Sequence, residues 1–161
     1  MPISWLDYLT LGAAVGCATM GGVFFAFSAF VMKALARLPA PDGIAAMQAI
    51  NVVAITPPFM SALFGTAAVC LTVAVYSAFR THPGAPYVIA GAVCYLLGTI
   101  VVTIVCNVPR NDALARVEPA NADAARVWND YVVSWTRWNH VRTVAGIAAA
   151  VLLTLGLVAL G

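Results

Sequence analysis

Residues 128–160 read WNDYVVSWTRWNHVRTVAGIAAAVLLTLGLVAL. From Thr143 onward the stretch is uncharged and almost wholly apolar, nearly the 20 or so residues needed to cross a hydrocarbon core of about 30 Å. The part before Thr143 is dense in tryptophan, asparagine and arginine. Neither proline nor glycine intervenes between Asn121, which can cap a helix, and Gly146. Both parts therefore belong on one helix that spans a bilayer and projects out of it.

The rest of the chain agrees. Of its 161 residues, 63% are hydrophobic and only 9% charged, against about 25% charged in soluble domains. Long apolar windows fall at residues 9–32, 58–79, 87–108 and 143–160. They are continuous runs, not the alternating segments of about ten residues that build a closed barrel. The expected fold is all-α integral membrane: one domain over residues 1–161, a four-transmembrane-helix bundle with cytoplasmic amphipathic helices before the second and fourth spans. The first span carries no basic residue ahead of it and its apolar run is too long for a secretory signal, so it is expected to remain in the mature protein.

Lys33, Arg37, Arg110, Arg116, Arg126 and Arg137 lie in the first and third connections, whereas the second connection and the termini offer only Arg80. The positive-inside rule places the first and third connections in the cytoplasm and both termini outside it. The expectation is a multi-pass protein of a bacterial inner membrane, with Trp5, Tyr8, Tyr76 and Tyr87 as anchors at the outer interface and membrane lipid as its surroundings.

Several function classes are disfavoured. A net charge of +2 with no basic run interleaved with aromatics argues against nucleic acid. No Asp or Glu occurs between Asp42 and Asp112, so the second and third spans lack carboxylates for ion coupling. His82 and His140 fall on opposite sides of the membrane, which argues against a metal or haem site; no metal and no cofactor is expected. Cys17, Cys70, Cys94 and Cys106 read as small apolar residues inside spans.

The first connection reads DGIAAMQAINVVAITPP over residues 42–58. Asp42 can cap a helix there, Ile44, Met47, Gln48, Asn51 and Ile55 fall at amphipathic spacing, and Thr56 followed by Pro57 starts the next span. In the third span Thr99, Thr103 and Asn107 form a polar stripe. Pro109 biases Val108 away from helix, so the span is expected to break there. On the last helix, residues spaced about 100° apart put Trp128, Tyr131, Trp135, Trp138, Asn139 and Arg142 on one face, continued by Gly146 and Leu153. Arg126, Asp130, Arg137 and His140 fall on the other. An aromatic belt at the membrane interface accounts for one or two of those tryptophans. An amide and a guanidinium sharing the stripe at membrane depth point instead to a site facing the bundle interior. Phe24, Phe25, Phe27 and Phe30 can line an apolar pocket around Ser28, and GAAVG, residues 12–16, is a small-residue packing motif that also allows a homo-oligomer.

The pattern N-x-P-x-N at Asn107, Pro109 and Asn111, followed by W-x-x-W-N-x-x-R at Trp135, Trp138, Asn139 and Arg142, resembles the anthrone oxygenase family. So do FFAFSAFVMKAL from Phe24 to Leu35 and AAMQAIN from Ala45 to Asn51. The resemblance implies a small four-helix membrane protein that converts anthrones to anthraquinones with molecular oxygen and no evident cofactor. In that family the position of Asn139 is Asn or His. The expectation is a cofactor-independent monooxygenase acting on a small, apolar, flat phenolic or anthrone-type substrate. Arg142, Asn139 and Asn107 would hold the developing oxyanion, and Trp135, Trp138, Tyr131, Asn111 and Phe27 would bind the ring system. For the general base, histidine is the residue type suited to proton transfer near neutral pH, but His140 faces away from the site, and Asp112 is the second candidate. The alternative is a non-catalytic membrane module that binds a lipid or quinone, or a helical scaffold. Under either reading Arg142 and Asn107 should meet across a cavity lined by Trp135 and Trp138, with His140 outside it.

Overall fold

The computed structural model describes residues 4–79, 82–120 and 122–159. Five helices follow one another: α1 Trp5–Leu35, α2 Ala40–Val53, α3 Pro57–Ala78, α4 Ala85–Ala115 and α5 Ala124–Val158. All except α2 are long and apolar enough to cross a bilayer. At 1.5 Å per residue the 35 residues of α5 extend about 52 Å, well beyond a hydrocarbon core of about 30 Å. The extension before the span is therefore continuous with it, as expected. Asn121 lies outside the described residues, and α5 begins after Asp123 with no side-chain cap.

Local chemistry sets the helix ends. Ser4 and Asp7 form a reciprocal capping box, Ser4 N donating to Asp7 Oδ2 at 2.7 Å and Asp7 N to Ser4 Oγ at 3.3 Å, which satisfies two donors at the head of α1. Helix α2 starts after Pro39, so Asp42 sits inside its first turn and does not cap it. Extended Thr56 and then Pro57 begin α3, where proline gives up an amide that had no partner.

The expected break in the third span is absent: Val108 has φ −57° and ψ −48°, and the helix runs on to Ala115. The cause is the π-helical winding of Thr103–Asn107. Its i→i+5 bonding shifts the hydrogen-bond register just before Pro109, whose ring and missing N–H would otherwise disrupt an α-helical turn. The side chain of Arg110 supplies a donor to the Cys106 carbonyl. Further π-helical turns lie at Leu96–Val101 in α4 and at Phe27–Val31 in α1.

Helix α1 packs on α3 and α5, and α4 packs on the same two, so the four spans close into a ring. The α1–α5 crossing is tight because two glycines meet there: a Cβ added to Gly146 would sit 2.9 Å from the Cα of Gly21. Of the GAAVG pair, Gly16 faces Thr66 of α3, while Gly12 has open space around it. Buried Cys17 and Cys70 touch across α1 and α3, Sγ to Sγ 3.7 Å, in a core with Met20, Leu63 and Tyr95. At the same end as the termini, Trp5 stacks edge-on against Tyr76 at 4.8 Å.

A second apolar core lies at the opposite end. Met32, Ile44, Met47, Leu114, Trp128, Tyr131 and Trp135 bury one another there, fastening α2 to the extensions of α1, α4 and α5. Trp128, Tyr131 and Trp135 are thus core residues and not an interfacial belt. Gly43 makes room for Trp128, since a Cβ on it would come within 2.6 Å of the indole.

Candidate functional site

Between these two cores the bundle is hollow. A cavity of about 940 Å³ is walled by Val23, Phe24 and Phe27 of α1, Phe59, Met60 and Leu63 of α3, Thr103, Val108, Asn111, Asp112 and Ala115 of α4, and Trp135 and Arg142 of α5. Residues 47–55, the end of α2 and the corner that follows, form its roof. The volume lies in the upper part of the range for small-molecule sites, about 300–1,000 Å³.

Arg142 is the most costly residue in this wall. It is only 5% exposed. Its Nη2 donates to Asn139 Oδ1 at 2.7 Å and its Nη1 to Thr103 Oγ1 at 3.3 Å. The guanidinium lies over Phe24 at 4.3 Å from the ring centre and over Trp135 at 5.0 Å, favourable cation–π positions. Its Nε has no acceptor. No carboxylate pairs with it among the described residues, where the ion pairs are those of exposed Arg126 with Asp123 and Asp130.

The arginine is held by a chain of bonds that starts from backbone. Fully buried Asn139 spends its amide hydrogens on the Phe24 carbonyl at 2.7 Å and Ser28 Oγ at 2.8 Å. Its Oδ1 is therefore the atom turned to Arg142. Thr143 Oγ1 donates to the Asn139 carbonyl at 2.9 Å and contacts Ser28 Oγ at 3.1 Å, which closes the network.

Two further amides are locked in opposite senses. Asn111 Oδ1 accepts from Tyr131 Oη at 2.9 Å and from Trp135 Nε1 at 2.8 Å. An indole N–H can only donate, so Nδ2 is the end of Asn111 that remains available to the cavity. Gln48 Nε2 donates to the carbonyls of Leu114 and Val117, both at 2.9 Å, which leaves Oε1 as an acceptor. Leu114 follows Asn111 by about one helical turn of roughly 5 Å, so the two groups are neighbours on the wall. Asn51 Nδ2 is buried there without a partner. Donors thus predominate, with Gln48 Oε1 and Asp112 as acceptors.

Of the residues singled out from sequence, Arg142, Asn139, Trp135, Tyr131, Asn111 and Phe27 come together here. Phe27 packs on Trp135 at 5.8 Å, and Tyr131 acts through Asn111 instead of lining the cavity. Phe25 and Phe30 point outward. Two expectations are corrected. Trp138, about 100° from Asn139 on the helix, lies off the cavity beneath Arg110, whose guanidinium is 5.9 Å from its ring centre. Asn107 does not meet Arg142 across the cavity: it is buried against α5, its Nδ2 donating to the Trp135 carbonyl at 3.3 Å. The π-helical turn breaks the four-residue stripe, so Thr103, and not Asn107, reaches the arginine. His140 is exposed and outside the cavity. Gln48 and Asn51 line the site wall, a role that their amphipathic spacing on α2 does not by itself disclose. Their three-residue spacing on α2, beside apolar neighbours, was the available signal.

The family model described as Anthrone oxygenase matches residues 58–152, more than half of the chain and all of the site residues from α3, α4 and α5. The chain belongs to the anthrone oxygenase family. No curated protein and no solved structure matches it. In this anthrone oxygenase family member, the matched segment contains Thr103, Asn111, Trp135, Asn139 and Arg142, while Phe24, Ser28, Gln48 and Asn51 come from helices that precede it.

Proposed function

We propose that the cavity binds a flat phenolic or anthrone-type polycycle as its oxyanion and directs its oxidation by molecular oxygen without a cofactor. The observation that carries this reading is Arg142: a buried guanidinium with no carboxylate partner among the described residues and a free Nε, stacked between aromatic rings on the wall of an apolar cavity. A buried charge is stable only when paired or hydrogen-bonded, and an oxyanion held between Phe24, Phe27 and Trp135 supplies the missing partner.

The chemistry follows from the ligand. An anthrone loses a proton from the carbon opposite its ketone, and the electron pair moves to the ketone oxygen. Arg142, oriented by Asn139 and Thr103, stabilises that charge. Among the described residues Asp112 is the one carboxylate on the cavity wall, and it is the proton acceptor in this reading. The electron-rich carbon reduces oxygen and forms a C–O bond, giving a hydroperoxide. Cleavage of the O–O bond with loss of the remaining hydrogen on that carbon yields the second carbonyl and water. One anthrone and one O₂ become one anthraquinone and one H₂O.

Purified protein incubated with an anthrone and a panel of phenolic polycycles should accelerate oxygen uptake and quinone formation over detergent micelles alone. Equal rates with and without protein across the panel would overturn the enzymatic reading. Binding without turnover would favour a quinone- or lipid-binding module, a reading supported by the exposure of His140 away from the cavity.

A further inference from the structure

The roof of the cavity has the wrong polarity for a helix lying against water. An interfacial or soluble helix turns its polar groups outward and its apolar stripe inward. At the end of α2 the arrangement is reversed: Gln48 and Asn51 face the protein and the cavity, while Val52 and Val53 of α2, with Ile55 in the corner after it, are 72%, 66% and 74% exposed. Val108 of α4, 40% exposed, lies on the same wall. These residues line the cavity and also face outward, so they form its rim.

Their depth is fixed by α3. Its 22 residues from Pro57 extend about 33 Å, close to the full hydrocarbon thickness, which puts Val53 and Ile55 at the hydrocarbon edge. The exposed rim continues the lipid-facing surface of α4, where Ile104 and Val105 are 52% and 64% exposed. Such a patch marks contact with a membrane or a protein, and at this depth the surrounding medium is acyl chains.

We propose that the gap between the α2–α3 corner and α4 is a lateral portal, embedded in the leaflet on the side of the first and third connections, through which the cavity takes its ligand from the acyl layer and not from water. The partner of this surface is the bilayer itself. The proposal of a cargo rests on the ligand-binding reading above; the lipid contact does not. A polycycle dissolved among acyl chains would meet Val53, Ile55 and Val108 first and reach Arg142 without crossing the aqueous phase.

The test uses the full chain in phosphatidylcholine vesicles, with a photoreactive p-benzoylphenylalanine placed singly at Val53, Ile55 or, as a control in the exposed turn before α5, Glu118. Lipid adducts should form at positions 53 and 55 and not at 118; their absence at 53 and 55 would overturn the portal. A second arm follows the loading of vesicle-borne anthrone by quenching of tryptophan fluorescence. Val53→Asp should slow loading roughly tenfold, the effect of about 1.4 kcal/mol at the barrier, whereas Val133→Asp, on the outer face of α5, should load at the unaltered rate. Equal slowing by both would also overturn the portal. Loading without lipid adducts refutes the portal alone. Lipid adducts with no loading of anthrone into the unaltered protein refute the proposed cargo and the function together.

Discussion

Replacing Arg142 with leucine separates a site arginine from one that merely snorkels. In the unliganded protein the change removes opposing contributions that cancel only in part. An arginine at membrane depth costs about 2.5–3.5 kcal/mol on insertion scales, and the variant is relieved of that. It loses the bonds to Asn139 Oδ1 and Thr103 Oγ1, worth about 1.5–3 kcal/mol each for a charged donor, and leaves Asn139 Oδ1 without its donor at about 1–3 kcal/mol. The ring contacts with Phe24 and Trp135 remain available to leucine as packing. Those losses, about 4–9 kcal/mol together, exceed the relief, so net stability should fall by roughly 0.5–6.5 kcal/mol, at about 2–4 °C in the unfolding midpoint per kcal/mol for a chain of this size. Ligand affinity has no such compensation. Losing one charge-assisted bond to an oxyanion should weaken a phenolate ligand by roughly 10- to 150-fold. Arg142→Lys, which keeps the charge but not the planar fork, should fall between. Titration by tryptophan quenching, with Trp135 in the wall, gives affinity, and thermal unfolding in the same detergent gives stability. If Arg142→Leu folds and binds the phenolate as tightly as the unaltered protein, the oxyanion reading of the cavity is wrong.

Three further outcomes are expected. Gly43→Ala brings a Cβ within 2.6 Å of the Trp128 indole; the displaced ring should cost about 1–3 kcal/mol, and an unchanged unfolding midpoint would show that the second core has room around Trp128. His140→Ala should leave stability within about 0.5 kcal/mol and leave oxygen uptake unchanged, because the residue is exposed outside the cavity; a large loss of turnover would make it the missing base after all. A periplasm-dependent phosphatase fused to the C-terminus should be active in a bacterial host, as the excess of Lys and Arg in the first and third connections requires. Activity of a cytoplasm-dependent reporter at that position would invert the topology.

Much of this molecule was legible in its sequence because bilayer solvation is unforgiving. Apolar windows of the length needed to cross a membrane have few alternatives to a helix, and the uninterrupted segment before Gly146 forced the extension of α5 to be continuous with its span. Helical periodicity likewise put Asn139 and Arg142 on the buried face and His140 on the exposed one. What periodicity could not supply was any departure from 3.6 residues per turn. The π-helical winding of Thr103–Asn107 is a local response to Pro109 and to packing against α5. It substituted Thr103 for Asn107 beside Arg142 and removed the break expected at Val108. Nor could one-dimensional spacing show that α2 folds back over the bundle. Only that long-range docking, through Ile44, Met47 and the Gln48 bonds to the end of α4, turns Gln48 and Asn51 into cavity wall and closes a roof over Arg142. Sequence by itself determined the spans and which side of α5 carries Asn139 and Arg142, since these depend on solvation and local geometry. Tertiary structure decided which faces meet and what space they enclose, since that depends on contacts between residues far apart in the chain.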